Sequence, residues 1–334
     1  YERKKKEILA SHDSIEVAKK RFEELKSKTV VKFAFQTKCE DATGDYLHNC
    51  HEVKRMFDST SAKACAFSAD GEEPIDCYDC NNFYYKCELC LDMMGVLTSS
   101  RSRYSTYVFN CSEIEYCDNM TNCNSCFGCI GMKKRDYYIL NKQYTPEKYR
   151  ELRKQIVESM KKEGLYGSFL PPSLSPFGYN EVLAKDYFPL TREEALARGF
   201  KWQDKTTGTS GKETIKQIPA TMAEVDDKIL NEVLVCEKCR LNFKITPAEL
   251  AFYRKMGLPL PHFDFECRHQ ARLAKRNPRQ LWTRQCLCDY SVYKNLAKHD
   301  HHPTGRCPNK FETSYAPDKP GIVYCEQCYQ AEVV

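Results

Sequence analysis

The sequence predicts a mixed, β-rich chain: a short-period, β-solenoid-like, cysteine-rich repeat region, capping helices, and a C-terminal pair of small thiol-built modules. Three observations predict it. Cysteine is in large excess, with 20 in 334 residues. The cysteines of the first half keep a phase of three, as stacked short coils require. Those of the last third return instead in C-x-x-C knuckles.

In chain order, residues 1–38 open on one amphipathic helix reaching about residue 28, with Ile8, Ile15, Ala18, Phe22 and Leu25 on one face. The run Arg3–Lys6 at its start reads as a solvated helix end. Residues 39–143 form the repeat. Cys50, Cys65, Cys77 and Cys80 are separated by multiples of three. So are Cys87, Cys90, Cys111, Cys117, Cys123, Cys126 and Cys129, with the two groups offset by one residue. A buried free cysteine behaves as a small hydrophobe, so an inward-facing ladder is the plain reading. Two metal readings compete with it: a zinc knuckle on Cys77, Cys80, Cys87 and Cys90, and a weaker iron–sulfur match at Cys123, Cys126 and Cys129. The latter lacks the fourth cysteine and the proline of the ferredoxin run.

Residues 144–165 read as a helix covering the open end of the solenoid. Thr145 is its N-cap, Pro146 its first residue, and Tyr149, Leu152, Ile156 and Met160 its apolar stripe. Residues 166–217 are a linker with a short helix behind the capping box Thr191-Arg192-Glu193-Glu194 and a flexible boundary at 204–213.

Residues 218–334 hold the densest chemistry and read as a double zinc-ribbon or treble-clef-like module. Two thiolates in a tight knuckle serve one tetrahedral zinc. Cys236, Cys239 and Cys267 supply three sulfurs of a first site, with Asp264 or His269 as the fourth ligand. Cys325 and Cys328 form the second knuckle. Its partners come from Cys286, Cys288 and Cys307, with Cys288 favoured over Cys286. The expectation is two Zn2+ ions. His299, His301 and His302 could join a second metal, with a polar surface loop as the favoured reading, and Phe311–Tyr315 with Ile322–Tyr324 read as the strands of the ribbon. Structural zinc contributes ~10–16 kcal/mol to the folding of small peptides, enough to replace an apolar core.

The motifs CEKC…TPAELAFYRKMGLPLP…CRHQARLAKRNPRQLW resemble the "probable zinc-ribbon" modules of uncharacterised bacterial cysteine-rich repeat proteins. In these the second pair is C-P-x-C-R, where this chain has Asp264-Phe265-Glu266-Cys267-Arg268. Residues 314–330 resemble the second half of the ribbon that follows, and residues 126–149 the end of the repeat region. The resemblance implies zinc binding and repeats flanked by ribbons; it implies no activity.

For function, Cys-dominated closed sites point to a non-catalytic structural zinc-binding protein. The segment 268–284, read as a basic helix, suggests nucleic-acid binding through Arg268, Arg272, Lys275, Arg276, Arg279, Trp282 and Arg284; its plain alternative is ion pairing with neighbouring acids. A solenoid scaffold meeting another protein through Tyr84, Tyr85, Tyr104 and Tyr107 is the second reading, and a metal- or thiol-dependent enzyme the third. No nucleophile elbow, phosphate loop or dinucleotide fingerprint is present, and no small-molecule substrate is indicated. No apolar run approaches the ~20 residues of a membrane span. Reduced thiols with metal suggest a reducing, cytoplasmic compartment. The start at Tyr1 reads as a fragment or processed product.

Overall fold

The computed structural model describes residues 1–204, 208–215 and 217–333. Part of the expected flexible boundary, 205–207, lies outside them. The central body is a parallel β-solenoid of about nine turns. Its strands run from Gln36–Thr37 to Asp136–Ile139, and a final antiparallel strand, Lys142–Gln143, closes the series.

Coil length follows from the strand register. Leu91 lies over Arg103 and Arg103 over Glu115, so one coil takes twelve residues. Each coil is four triplets. Nearly every third residue takes a positive φ near 50–60°, among them Asn49, Asp58, Asp70, Asp79, Asn82, Asn110 and Asn122. Asn and Asp tolerate this left-handed corner better than other residues do, which explains their recurrence. The residue after each corner points inward, so four columns line the lumen. One column reads Met56, Ser68, Cys80, Met93, Ser105, Cys117 and Cys129. The phase slip between Cys80 and Cys87 is a single thirteen-residue coil: Tyr78 pairs with Leu91, and Tyr85 and Lys86 both have positive φ.

The lumen cysteines form a ladder, for a polar as well as an apolar reason. A thiol in a column bonds its own coil and the next: the Cys117 Sγ donates to Glu115 O at 3.2 Å and accepts from Cys129 N at 3.2 Å. Serines do the same, as when Ser68 Oγ accepts from Cys80 N at 3.0 Å. Ser and Cys therefore interchange in these columns because each satisfies a backbone group that a methyl would leave unpaired. The knuckle on Cys77, Cys80, Cys87 and Cys90 is thereby corrected. Cys77 and Cys90 stack in one column while Cys80 and Cys87 occupy the columns on either side, all facing the lumen. Cys123, Cys126 and Cys129 likewise lie on three successive sides of one coil and form no cluster loop.

Burial pushes the Cys87 thiol up to about 11; hydrogen bonding to Cys77, then burial, pushes Cys65 and Cys80 up too. A thiol raised when folded stabilises the fold below its unfolded value near 9 and loses that contribution as pH climbs through the folded value. Cys87 alone contributes on the order of 2–3 kcal/mol. The thermal midpoint of the solenoid should therefore fall between pH 9 and 11. Below pH 9, where the fold keeps this contribution, iodoacetamide should label half-exposed Cys39 well before any of the eleven buried solenoid cysteines, read by mass spectrometry. Rapid labelling of Cys77 or Cys111 in folded protein would contradict the ladder.

The helices are α1 (Glu2–Leu9), α2 (His12–Ser27), α3 (Pro146–Lys162), α4 (Ala184–Tyr187), α5 (Arg192–Ala197), α6 (Pro247–Met256), α7 (Phe265–Leu273) and α8 (Glu326–Val333). The single N-terminal helix divides in two because Ser11 makes a capping box with Ser14. Its stripe is not buried, and Phe22 and Leu25 are exposed. Helix α3 has the expected Thr145 cap, but it lies across the side of the solenoid rather than over its end. It packs Tyr149 and Val157 on Tyr104, Tyr116, Phe127 and Ile139, which come from four successive coils. Its Arg153, with Arg103, clamps the buried Glu115, which also accepts from Tyr166 Oη. The last coil is finished by Asn141, whose side-chain amide bonds both the N–H and the C=O of Ile130 at 2.9 Å. Among the described residues, no helix is long and apolar enough to cross a membrane.

Candidate metal centres

The first centre is built by a hairpin and a helix start. Strands Leu234–Val235 and Asn242–Phe243 pair antiparallel and hold Cys236–Cys239 in a knuckle, with Arg240 at φ 66° completing the turn. Leu234, Ile245, Leu250 and Leu260 pack beneath it. Asp264 is the N-cap of α7 and accepts from Cys267 N at 2.7 Å. Its other oxygen lies 2.9 Å from Cys239 Sγ. The ligand atoms of Cys236, Cys239, Asp264 and Cys267 all lie within 4.8 Å of one another, a set able to hold a metal ion. His269 is not brought to it; it points along α7 to Asp186 at 3.4 Å.

The second centre lies where four chain segments meet. Cys286 and Cys288 follow strand Trp282–Gln285, Cys307 precedes strand Lys310–Thr313, Cys325 follows strand Ile322–Tyr324, and Cys328 lies in the first turn of α8. The expected ribbon pairing is corrected. Lys310–Thr313 pairs antiparallel with Trp282–Gln285, whereas Ile322–Tyr324 pairs parallel with Val30–Lys32 from the N-terminal segment. The sulfurs of Cys286, Cys307, Cys325 and Cys328 lie within 4.8 Å of one another and are buried. A hydrogen bond from the Cys286 thiol holds Cys325 well below the usual thiol range and pushes Cys286 up. Asn309 Nδ2 donates to Cys325 Sγ at 3.4 Å.

Cys286 therefore takes the place expected for Cys288. Cys288 belongs to a neighbouring buried quartet with His299, His302 and Cys328. The surface-loop reading of these histidines is overturned: His299 is 1% exposed and His302 5%. The clue present in the sequence was the fifth thiol with no place in a tetrad, followed by histidines three residues apart.

The basic helix 268–284 does not exist as one element. Helix α7 ends at Leu273, Pro278 prevents its continuation, and Trp282 and Arg284 are in a strand. Arg268 bonds Glu249 and Tyr253. Arg284 donates to the Tyr315 and Ala316 carbonyls, both at 3.2 Å. Arg276 reaches Asp58 at 2.9 Å, and Arg279 bonds Asp58 at 3.0 Å and Asp70 at 2.6 Å beneath the ring of Tyr187. Asp58 and Asp70 are corner residues twelve apart, so the coil repeat stacks their carboxylates for one guanidinium. Arg272 and Lys275 stay exposed. The Arg279 side chain is 5% exposed. Arg279→Ala should therefore cost about 3 kcal/mol in denaturant unfolding, because Asp70 loses its arginine and Asp58 one of its two. An unchanged midpoint would show that this contact does not hold the tail to the solenoid.

No protein-family model, curated protein or solved structure matches this chain.

Proposed function

We propose that this protein is a non-catalytic scaffold in which structural zinc ties the two ends of the chain to a thiol-lined solenoid. The observation that carries the reading is the closed set Cys286, Cys307, Cys325 and Cys328, with all four sulfurs buried. An all-sulfur tetrad is a donor set of structural zinc, and it leaves no coordination position for a substrate. The module on this tetrad is joined to the solenoid by Ser314–Asp45, by Thr313 Oγ1 to Phe33 O at 2.6 Å, and by Arg279. On a lateral face half-buried Tyr84, Leu97 and Phe109 stack in register, and Tyr85 and Tyr107 on the same coils are exposed. That flat apolar column suits a protein partner; Tyr104 does not contribute, being packed against Tyr116 and Tyr166.

Cobalt substitution tests the closed-site reading. Co(II) in the full chain should give tetrahedral, thiolate-rich spectra that do not change on adding azide or cyanide. A shift in the ligand-field bands would mean an open position and would return the protein to the enzymes.

Exposed Arg272 and Lys275 support a second reading, nucleic-acid contact by charge. Fluorescence anisotropy with single- and double-stranded DNA separates it from the first. Binding that weakens steeply with salt and is lost in Arg272→Ala/Lys275→Ala would favour nucleic acid over a protein partner.

A further inference from the structure

We propose that the C-terminal module holds two metal ions in one cluster, joined through the Cys328 thiolate, so that the whole chain carries three. This rests on the reading that the cluster binds metal at all. Two buried quartets overlap there: Cys286, Cys307, Cys325 and Cys328 form one, and Cys288, His299, His302 and Cys328 the other. Cys328 is the one residue they share, and a thiolate has lone pairs for two cations.

The second quartet is oriented as a metal site. His299 Nε2 lies 2.8 Å from Glu332 Oε1. Glu332 is fixed in turn by the N–H groups of Leu296 at 2.7 Å and Ala297 at 3.2 Å. The carboxylate fixes the Nε2–H tautomer and leaves Nδ1 bare, facing Cys288 Sγ at 3.6 Å and His302 Nε2 at 3.0 Å. His302 Nε2 is also 3.2 Å from Cys328 Sγ. An imidazole held by a carboxylate on one nitrogen, with the other facing a thiol, is how proteins orient a metal ligand. Asn295 Nδ2 donates to Cys288 Sγ at 3.1 Å, the bond a thiolate accepts. His301, half-buried, has Nε2 3.2 Å from Cys328 Sγ and 3.7 Å from Cys307 Sγ and completes a third overlapping quartet with His302, Cys307 and Cys328, but each of the two tetrahedra above closes without it.

Charge argues the same way. Four thiolates around one divalent ion leave two negative charges in a buried site, which is costly. A second divalent ion arriving with one more thiolate and two neutral imidazoles leaves one. The cation class is zinc or another divalent ion that accepts mixed sulfur and nitrogen donors.

The test is metal stoichiometry of the full chain, purified under reducing conditions with zinc and measured by inductively coupled plasma mass spectrometry. In Cys236→Ser/Cys239→Ser, which removes the separate first centre, two zinc ions per chain are expected. Adding His299→Ala and His302→Ala should lower this to one. A count of one before the histidine changes would overturn the proposal while leaving the structural-metal reading intact; a count of zero would overturn both. Cadmium-113 NMR of the unsubstituted chain is independent of how the variants fold. Three resonances are expected, two of them coupled to each other through the shared sulfur, and uncoupled single lines only would overturn the pairing.

Discussion

Stripping metal from the full chain with a strong chelator under reducing conditions should unfold residues 282–333 and leave the solenoid folded. Hydrogen exchange read by mass spectrometry should show amides of 282–333, and of strand Val30–Lys32 that pairs with them, losing protection together. Peptides from 47–132 should stay protected. The apolar cluster of the C-terminal module consists largely of its own cysteines, with Tyr324 the one other buried member. Once the metal is gone, those thiols are the interior. Metal binding of ~10–16 kcal/mol is then comparable to the entire ~5–15 kcal/mol stability of a small domain. The first centre should respond less, because Leu234, Ile245, Leu250 and Leu260 give it an apolar interior and Cys239 lies at the surface. Unchanged protection in 282–333 after verified metal loss would refute the structural role. Simultaneous loss across the solenoid would show that the lumen, rather than the metal, depends on the tail.

The solenoid was legible because its period is carried by one residue type. Inward positions recur every third residue, and cysteine marks eleven of them from Cys50 to Cys129, so even the thirteen-residue coil appeared as the phase slip between Cys80 and Cys87. The twelve-residue coil itself was less visible, since each column mixes Cys, Ser, Met and Val. The tetrad was nearly legible as well. What separates Cys286 from Cys288 is strand direction: Gln285 pairs with Lys310 and places Cys286, just past the strand end, beside Cys325, whose N–H donates to its sulfur at 3.2 Å. That depends on pairing across 39 residues, and no local spacing encodes it. The same holds for strand Ile322–Tyr324, whose partner is more than 280 residues away in sequence. The basic segment misled for a different reason. Its charge pattern is real, but the acids that neutralise it, Asp58, Asp70 and Glu249, come from elsewhere in the chain.

Phe83→Ala should be the most damaging single change in the solenoid, lowering stability by ~3–5 kcal/mol, as expected for a buried phenylalanine that leaves a cavity in a narrow lumen. Phe83 is 0% exposed and is the largest lumen side chain. It fits because the residue beneath it in the column is Gly71, paired with it in register. A Cβ on Gly71 would lie 2.7 Å from the Phe83 ring. Gly71→Ala alone should therefore cost ~1–3 kcal/mol by overpacking. Backbone strain does not enter, since Gly71 is an inward residue and not one of the positive-φ corners. The decisive measurement is the double mutant. Alanine at both positions removes the clash and refills part of the cavity, so its cost in urea unfolding should fall below the sum of the two single changes by ~1 kcal/mol or more, the size of coupling found between residues in contact. Additive costs would mean that the ring does not occupy the space above Gly71, and the column assignment that places every lumen cysteine would fail with it.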